Sequence, residues 1–311
     1  MYHHPMHIVV MGAGGVGGYF GAKLARAGET ITLVARGEHL TAIQREGLRI
    51  RSAIEGEYVV RPAAVEDVRG LPVADVVLFC VKSFDTETAA ERIRPVVGSA
   101  TAVLSLQNGV DNEDTLDAIL GPGHAMGGVA QVFAAIDRPG VIGHHFLGRI
   151  IFGELDGRMT PRTERLGEAF ARAAIDAQLS TDIRRALWEK YVLICAVAGM
   201  TALTRCPIGV IRDTPESWRM LRSIAEEGAA LAAAAKAGLA ADIVDQVVKL
   251  AGAIAPGNFS SLYQDLHRGK RLELEALHGH AVRLGERLGV PTPAMAAVYA
   301  ALKPHAAGRR G

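Results

Sequence analysis

Cysteine, aromatic side chains and any excess of one charge are all scarce in this 311-residue chain, and each scarcity excludes something. Lysine and arginine number 34 against 33 aspartate and glutamate, leaving a net charge of +1. No global field therefore draws the chain to nucleic acid or to an anionic membrane. Aromatics make up 5% of the residues, too few for a base-stacking surface. The three cysteines, Cys80, Cys195 and Cys206, are an odd number without metal-ligand spacing. Cys80 and Cys195 fall within apolar runs and read as small buried hydrophobes. A reducing cytoplasm suits such a set. No apolar run is long and uninterrupted enough to suggest a membrane span. Ile8 to Ala27 could pass for a signal peptide, but it has no cationic leading region. Its glycines fall where a phosphate-binding loop needs them, so it reads as structure.

What is present starts with that stretch. Ile8 to Met11 are four apolar residues running straight into Gly12-Ala13-Gly14-Gly15-Val16-Gly17, a G-x-G-x-x-G. An Ala/Leu-containing segment follows and ends near Gly28. Strand, glycine turn and helix in that order form a dinucleotide-binding fingerprint. Gly12 permits the tight turn, Gly14 lets backbone N–H groups approach a pyrophosphate, and Gly17 allows close helix packing. The diphosphate would sit at the positive end of the helix dipole.

The next strand, Thr30–Ala35, delivers Arg36-Gly37 at its carboxyl end. An NAD site usually places a carboxylate here for the ribose 2′-hydroxyl. Arg36 instead suits a 2′-phosphate, which it can pair bidentately, so the sequence points to NADP rather than NAD. The alternative is a solvated surface arginine. Two further buried strands, Asp75–Val81 and Ala102–Leu106, end in Lys82-Ser83 and in Gln107-Asn108-Gly109. Lys82 and Asn108 would then face the ligand crevice of an open α/β sheet, although Lys82 could simply open a helix and Asn-Gly is ordinary turn chemistry. Strand character continues over residues 125–136, 141–146 and 149–152, followed by an amphipathic helix over 160–178. The paired His144 and His145 and the N-terminal His3, His4 and His7 lack ligand spacing and read as surface histidines, with no metal.

Beyond about Ser180 helix signals dominate. Helices are expected over 183–197, from Pro215 to a stop at Gly238, from Asp242 to about Ile254, in a short piece capped by Ser260, over 272–288 and over 293–302. The fold class is thus α/β, an N-terminal Rossmann-type doubly wound sheet (residues 1–180) plus an all-helical C-terminal domain (181–311). Lys190 is followed by mostly apolar residues. Partly desolvated, its ammonium would be a better acid than a surface lysine, able to polarise a ketone and donate a proton to it. The alternative is a lysine snorkelling at the domain junction.

The whole chain resembles the ketopantoate reductase (2-dehydropantoate 2-reductase) family. The resemblance rests on Gly12–Gly17, Arg36, Lys82, Gln107-Asn108-Gly109, Leu187–Lys190, Cys206-Pro207-Ile208-Gly209, Ser260–Asp265 and the Glu273 segment, all in the family's order. It implies a Rossmann domain, a helical domain and a substrate held between them. It also implies NADPH-dependent reduction of a branched 2-oxo acid on the route to pantothenate. By the same resemblance Lys190 is the general acid and Glu273 helps hold substrate and cofactor. Ser261 contacts substrate, and Lys82 and Asn108 line the cofactor crevice, with Asn108 also near the substrate. The chain departs from the family where asparagines are usual. Positions four and eight residues after the lysine are Ile194 and Ala198, and a later asparagine is His278. Loss of polar partners for a polar substrate predicts a less polar 2-oxo acid. A non-catalytic NADP-binding sensor, a reductase of another oxo acid and an NAD enzyme are the competing readings. The apolar helices would also suit a homodimer.

Overall fold

The computed structural model describes residues 4–308. The chain divides into two compact units, one running through Gln107 and from Asp111 to Ile183, the other comprising Asn108–Val110 and the chain from Arg184 onward. The short excursion of Asn108–Val110 into the second unit has no counterpart in a contiguous division at residue 180.

The first unit runs β1 (His7–Met11), α1 (Gly15–Arg26), β2 (Thr30–Val34), α2 (Gly37–Glu46), β3 (Leu48–Ser52), β4 (Gly56–Val60) and β5 (Ala63–Val65). It continues with β6 (Val76–Phe79), α3 (Thr86–Ile93), β7 (Ala102–Ser105), α4 (Asn112–Leu120), β8 (Ala125–Arg138), β9 (Val141–Glu154), α5 (Pro161–Arg172) and β10 (Asp176–Leu179). The strands lie in the order β4-β3-β9-β8-β7-β6-β1-β2-β5, with β10 beside β9. From β5 to β8 every pairing is parallel. The chain goes from β1 to β2 on one side and later to β6 on the other, so the order reverses at β1, where open α/β sheets bind their ligands.

The alternation of a buried parallel sheet is visible residue by residue. Ile8, Val10 and Leu78 belong to one core with α1 residues such as Phe20 and Leu24. Val9, Met11 and Phe79 belong to a second core on the opposite face, with Ala89, Ile93 and Leu116. Apolar residues at both parities are what a sheet covered on both faces requires, and each such side chain contributes about 1.5–3 kcal/mol on burial. The sheet is doubly wound.

The expected helix over 160–178 is shorter. Thr160 caps α5 through Thr163, and the helix ends at Arg172. Ala174 takes a left-handed φ of 49°, and the chain then enters β10, parallel to β9. Ala177 and Leu179, two apart on β10, pack on the sheet core, which overrides the helical periodicity. His144 is not a surface residue either. It is buried, with Nε2 2.6 Å from the Leu147 carbonyl and Nδ1 2.8 Å from Ser52 Oγ, and its ring lies 4.1 Å from that of Tyr19. His4 and His145 are exposed and His7 is half-buried, while His3 lies outside the described residues.

The second unit contains α6 (Ile183–Thr204), α7 (Ile208–Asp213), α8 (Pro215–Ala234), α9 (Ile243–Ala253), α10 (Ser261–His267), α11 (His280–Leu288) and α12 (Pro293–Leu302). Helix α6 runs seven residues past the expected stop, to Thr204, and the chain turns at Arg205, whose φ is 56°. It is long and apolar enough to cross a membrane, contrary to the sequence expectation. Here it is the central core helix, burying Tyr191, Val192, Cys195, Ala196, Met200 and Ala202. Helix α8 stops at Ala234 rather than at Gly238, with Lys236 left-handed. The expected helix over 272–288 begins late. Residues Glu275–Gly279 form a π-helical turn before α11, and Gly289, left-handed at φ 69°, closes it.

Candidate functional site

In the first unit one edge carries most of the expected cofactor residues. Hydrogen bonding continues past the strand ends: Ala35 N to Val65 O, Ala13 N to Val34 O, Cys80 N to Met11 O and Leu106 N to Phe79 O, all 2.9–3.0 Å. This lacing sets the chain just before Arg36, Gly14, Lys82 and Asn108 along the carboxyl ends of β2, β1, β6 and β7. Gly12 has φ +98°, and a Cβ there would lie 3.0 Å from Val81 N. Gly17 presses on the strand below, where a Cβ would come within 2.3 Å of the Gly12 carbonyl oxygen. Gly14 faces open space. No side chain caps α1 at Gly14, and no acidic residue occupies its first turn. Ala13 is buried, whereas Gly14, Gly15 and Val16 are half-buried. A tight turn, an open backbone face and an uncapped helix start fit the pyrophosphate of a dinucleotide.

Arg36 is the N-cap residue of α2 and is 81% exposed, with Nη2 3.8 Å from Oδ2 of Asp85. Lys82 is half-buried and precedes a short 3₁₀ turn over Ser83–Asp85. Asn108 is half-buried and follows the buried Gln107.

Two residues that sequence reasoning passed over support this edge. His39 on α2 has Nε2 2.9 Å from the Ala13 carbonyl, while its Nδ1 accepts from Gly140 N at 3.0 Å. Those partners require the neutral tautomer with hydrogen on Nε2, and burial lowers the imidazole pKa accordingly. His39 thus clamps the glycine turn to the β8–β9 turn. Glu113, in the first turn of α4, is fully buried, and burial pushes its carboxyl up to about 7. Nothing in the local sequence distinguishes either residue from a surface side chain.

The second unit assembles its candidates around α6. Lys190 and Ile194 are half-buried on this helix, and Ala198 is buried. Spaced four apart, they form one slowly drifting stripe. The π-turn is tied to the same helix by two bonds. Tyr191 Oη donates to the Leu277 carbonyl at 2.7 Å, and His278 Nε2 lies 2.9 Å from the Cys195 carbonyl. His278 is wholly enclosed in the helical core. Glu273 is buried between Leu272 and Leu274, just ahead of the π-turn. π-Turns recur at functional sites because the extra residue re-aims the chain. A third tie joins Thr201 Oγ1 to Ser260 Oγ at 2.7 Å, and Ser260 caps α10 by accepting from Tyr263 N. Ser261, the first residue of α10, is exposed. The segments bearing Lys190, Glu273 and Ser261 are therefore fastened to one scaffold helix. Among the described residues no group of three or more His, Cys, Asp or Glu could hold a metal ion.

Comparison with known proteins covers both units. The sequence model described as ketopantoate reductase PanE/ApbA matches residues 8–157, and that of the PanE/ApbA C-terminal region matches residues 182–306. A 2-dehydropantoate 2-reductase of Archaeoglobus fulgidus is 34% identical over 284 residues, covering 91% of this chain and 92% of the relative. The crystal structure of a PanE/ApbA family ketopantoate reductase from Ralstonia eutropha JMP134 superposes with a TM-score of 0.89 at 36% identity, covering 96% of this chain and 98% of that one. A D-mandelate dehydrogenase solved with NADH and anilino(oxo)acetate shares the fold, with a TM-score of 0.89 at 21% identity over 96% of this chain and 98% of that one. The strand order, the glycine turn and this end-to-end likeness agree: the chain belongs to the ketopantoate reductase family of oxidoreductases.

Proposed function

We propose that the protein reduces a branched 2-oxo acid to the 2-hydroxy acid with NADPH. The observation that carries the reading is the glycine turn at the sheet's reversal point, uncapped and open at Gly14, with Arg36 ending the next strand. Gly12 to Gly17 hold the pyrophosphate and Arg36 supplies positive charge for a 2′-phosphate, with Lys82 and Asn108 lining the cofactor crevice. Bound NADPH supplies the hydride that reduces the ketone carbon. Lys190 Nζ holds the proton that goes to the ketone oxygen. Glu273 orients the substrate, and Ser261 donates a hydrogen bond to it.

The substrate is ketopantoate or a less polar branched 2-oxo acid. Ile194 and Ala198 offer only hydrocarbon where the family's asparagines could bond a hydroxyl, and a site without that partner discriminates weakly in favour of the hydroxylated acid. NADPH consumption, followed at its absorbance across a panel of 2-oxo acids, tests both parts. Turnover with kcat/KM higher for simple branched acids than for ketopantoate supports the altered preference, and a clear preference for ketopantoate overturns it. Tight NADPH binding without turnover across the panel would make the protein a sensor rather than a reductase.

A further inference from the structure

The segment that carries Glu273 is gripped by contacts that the proposed chemistry does not use. Glu273 and Leu274 lead into the π-turn Glu275–Gly279, whose wide register shows in Gly279 N donating to the Leu274 carbonyl at 2.9 Å. Leu277 N donates to the Glu273 carbonyl at 3.2 Å, so the backbone of Glu273 is bonded into the turn. On its inner side the turn is tied to α6 through Tyr191 and His278. Its outer side is held as well. Glu275 is the first residue of the turn, and three side chains converge on its carboxylate. Oε2 accepts from Arg283 Nη1 at 2.7 Å, and Oε1 accepts from Tyr299 Oη at 2.9 Å and from Lys303 Nζ. Lys303 Nζ also donates to Tyr299 Oη at 2.9 Å, so the single tyrosine proton goes to the carboxylate.

Backbone contacts complete the grip. Arg283 Nη2 donates to the Glu275 carbonyl at 2.8 Å, so one guanidinium holds both the side chain and the main chain of Glu275. Leu272 N, just before Glu273, donates to the Ala306 carbonyl at 2.9 Å, and Ala306 N donates to the Lys303 carbonyl at 3.1 Å. Residues 303–306 therefore hold the chain on both sides of Glu273. Gly279 leaves the room: a Cβ there would lie 2.8 Å from Glu275 Oε2, 2.9 Å from Tyr299 Cε2 and 3.1 Å from Arg283 Nη1. The side chains of Glu275, Arg283 and Lys303 are 45%, 49% and 52% exposed, and an isolated ion pair so exposed contributes little. Here donors from α11 and from the end of α12 occupy both carboxylate oxygens and the carbonyl at once, which makes a network with one geometry.

We infer that Glu275 is a positioning residue whose carboxylate, clasped by Arg283, Tyr299 and Lys303, holds the π-turn in register and so fixes the placement of Glu273. A single π-turn is a rare departure from helical register, so contacts from outside must hold it. Those on the inner side come from the helix that bears Lys190, and those on the outer side meet at Glu275. Release of the outer side lets the turn shift about its inner ties, and Glu273 shifts with it. The inference rests on the reading that Glu273 orients the 2-oxo acid.

The test compares KM and kcat on the preferred 2-oxo acid, and NADPH affinity by fluorescence, for the full-length natural protein, Glu275→Gln and Glu275→Asp. Glutamine keeps the shape of glutamate but turns an NH₂ toward one set of donors, whereas aspartate keeps two acceptor oxygens. Glu275→Gln is expected to raise KM about tenfold, with kcat and NADPH affinity within a factor of about two. Glu275→Asp should recover most of the loss, which a merely space-filling role would not require. In a Glu273→Gln background Glu275→Gln should add little further, because the residue it positions is already disabled. Melting curves establish that each variant is folded, and Arg283→Met, which removes one clasp, should reproduce the KM rise if Glu275→Gln does not fold. A natural KM in Glu275→Gln would overturn the inference, as would equal effects with and without Glu273 or equal losses in the glutamine and aspartate variants. A natural KM in Glu273→Gln would instead sink the functional reading beneath it.

Discussion

His278 Nε2 lies 2.9 Å from the carbonyl oxygen of Cys195, so the π-turn that follows Glu273 is bonded to the helix that carries Lys190. The bond needs room. Gly199 stands one turn beyond Cys195 on α6, and a Cβ there would lie 2.4 Å from the same nitrogen. Histidine and glycine therefore form one packing unit.

Gly199→Ala should destabilise the protein by about 2 kcal/mol, because the ring must leave its bond or push the helices apart. Urea denaturation measures this. The penalty should shrink in the Gly199→Ala, His278→Ala double variant, since the clash is then gone. Additive effects would show that the two side chains do not share the space.

His278 also predicts a pH dependence. Burial lowers its pKa from 6.5 to about 4, with the Cys195 carbonyl opposing only in part. A histidine lowered on folding binds fewer protons folded than unfolded. Its contribution is whole above about pH 6.5 and is lost as pH falls through 6.5 toward 4. At pH 4.5 the loss approaches roughly 2–3 kcal/mol relative to pH 7. Replacing His278 with leucine should flatten this part of the stability curve, measured by denaturation at the two pH values.

Arg36 should carry cofactor choice. Arg36→Ala is expected to lower kcat/KM for NADPH roughly 10- to 100-fold through loss of a charge-assisted contact, and to change NADH little. Asp85 lies 3.8 Å from the guanidinium and competes with a 2′-phosphate for it. Asp85→Asn should therefore raise NADPH affinity about two- to fivefold, an effect that shrinks with added salt because both groups are exposed. Equal changes for the two cofactors would remove the pair from this role.

Lys190→Ala should lower kcat on the preferred 2-oxo acid by about 10² to 10⁴ while leaving NADPH affinity within a factor of about two. Stopped assays for turnover and fluorescence for binding separate the two quantities. Retained turnover would take the proton from Lys190.

Much of the architecture was legible in the residues. Ile8–Met11 running into Gly12–Gly17 announced the strand, turn and helix, and apolar runs at Asp75–Val81 and Ala102–Leu106 announced strands buried on both faces. Local signals failed where a partner distant in sequence decided the outcome. Gln178 looked like the end of a helix until β9 offered Ala177 and Leu179 a sheet to join. The π-turn at Glu275–Gly279 is set by bonds to Tyr191 and Cys195, more than eighty residues away in the chain. His144 reads as polar surface, and His39 and Glu113 draw no notice, because burial of a polar side chain is a property of its neighbours.

By itself the sequence determined the fold class, the glycine turn and the family, because glycine conformation, apolar periodicity and ordered motifs are local and survive without coordinates. Only the tertiary structure decided that Glu113 is buried, that His39 clamps Ala13, and that His278 is locked against Cys195 with Gly199 making room. Each depends on desolvation and on the direction of hydrogen bonds between segments far apart in the chain, and these exist only once the chain has closed around them.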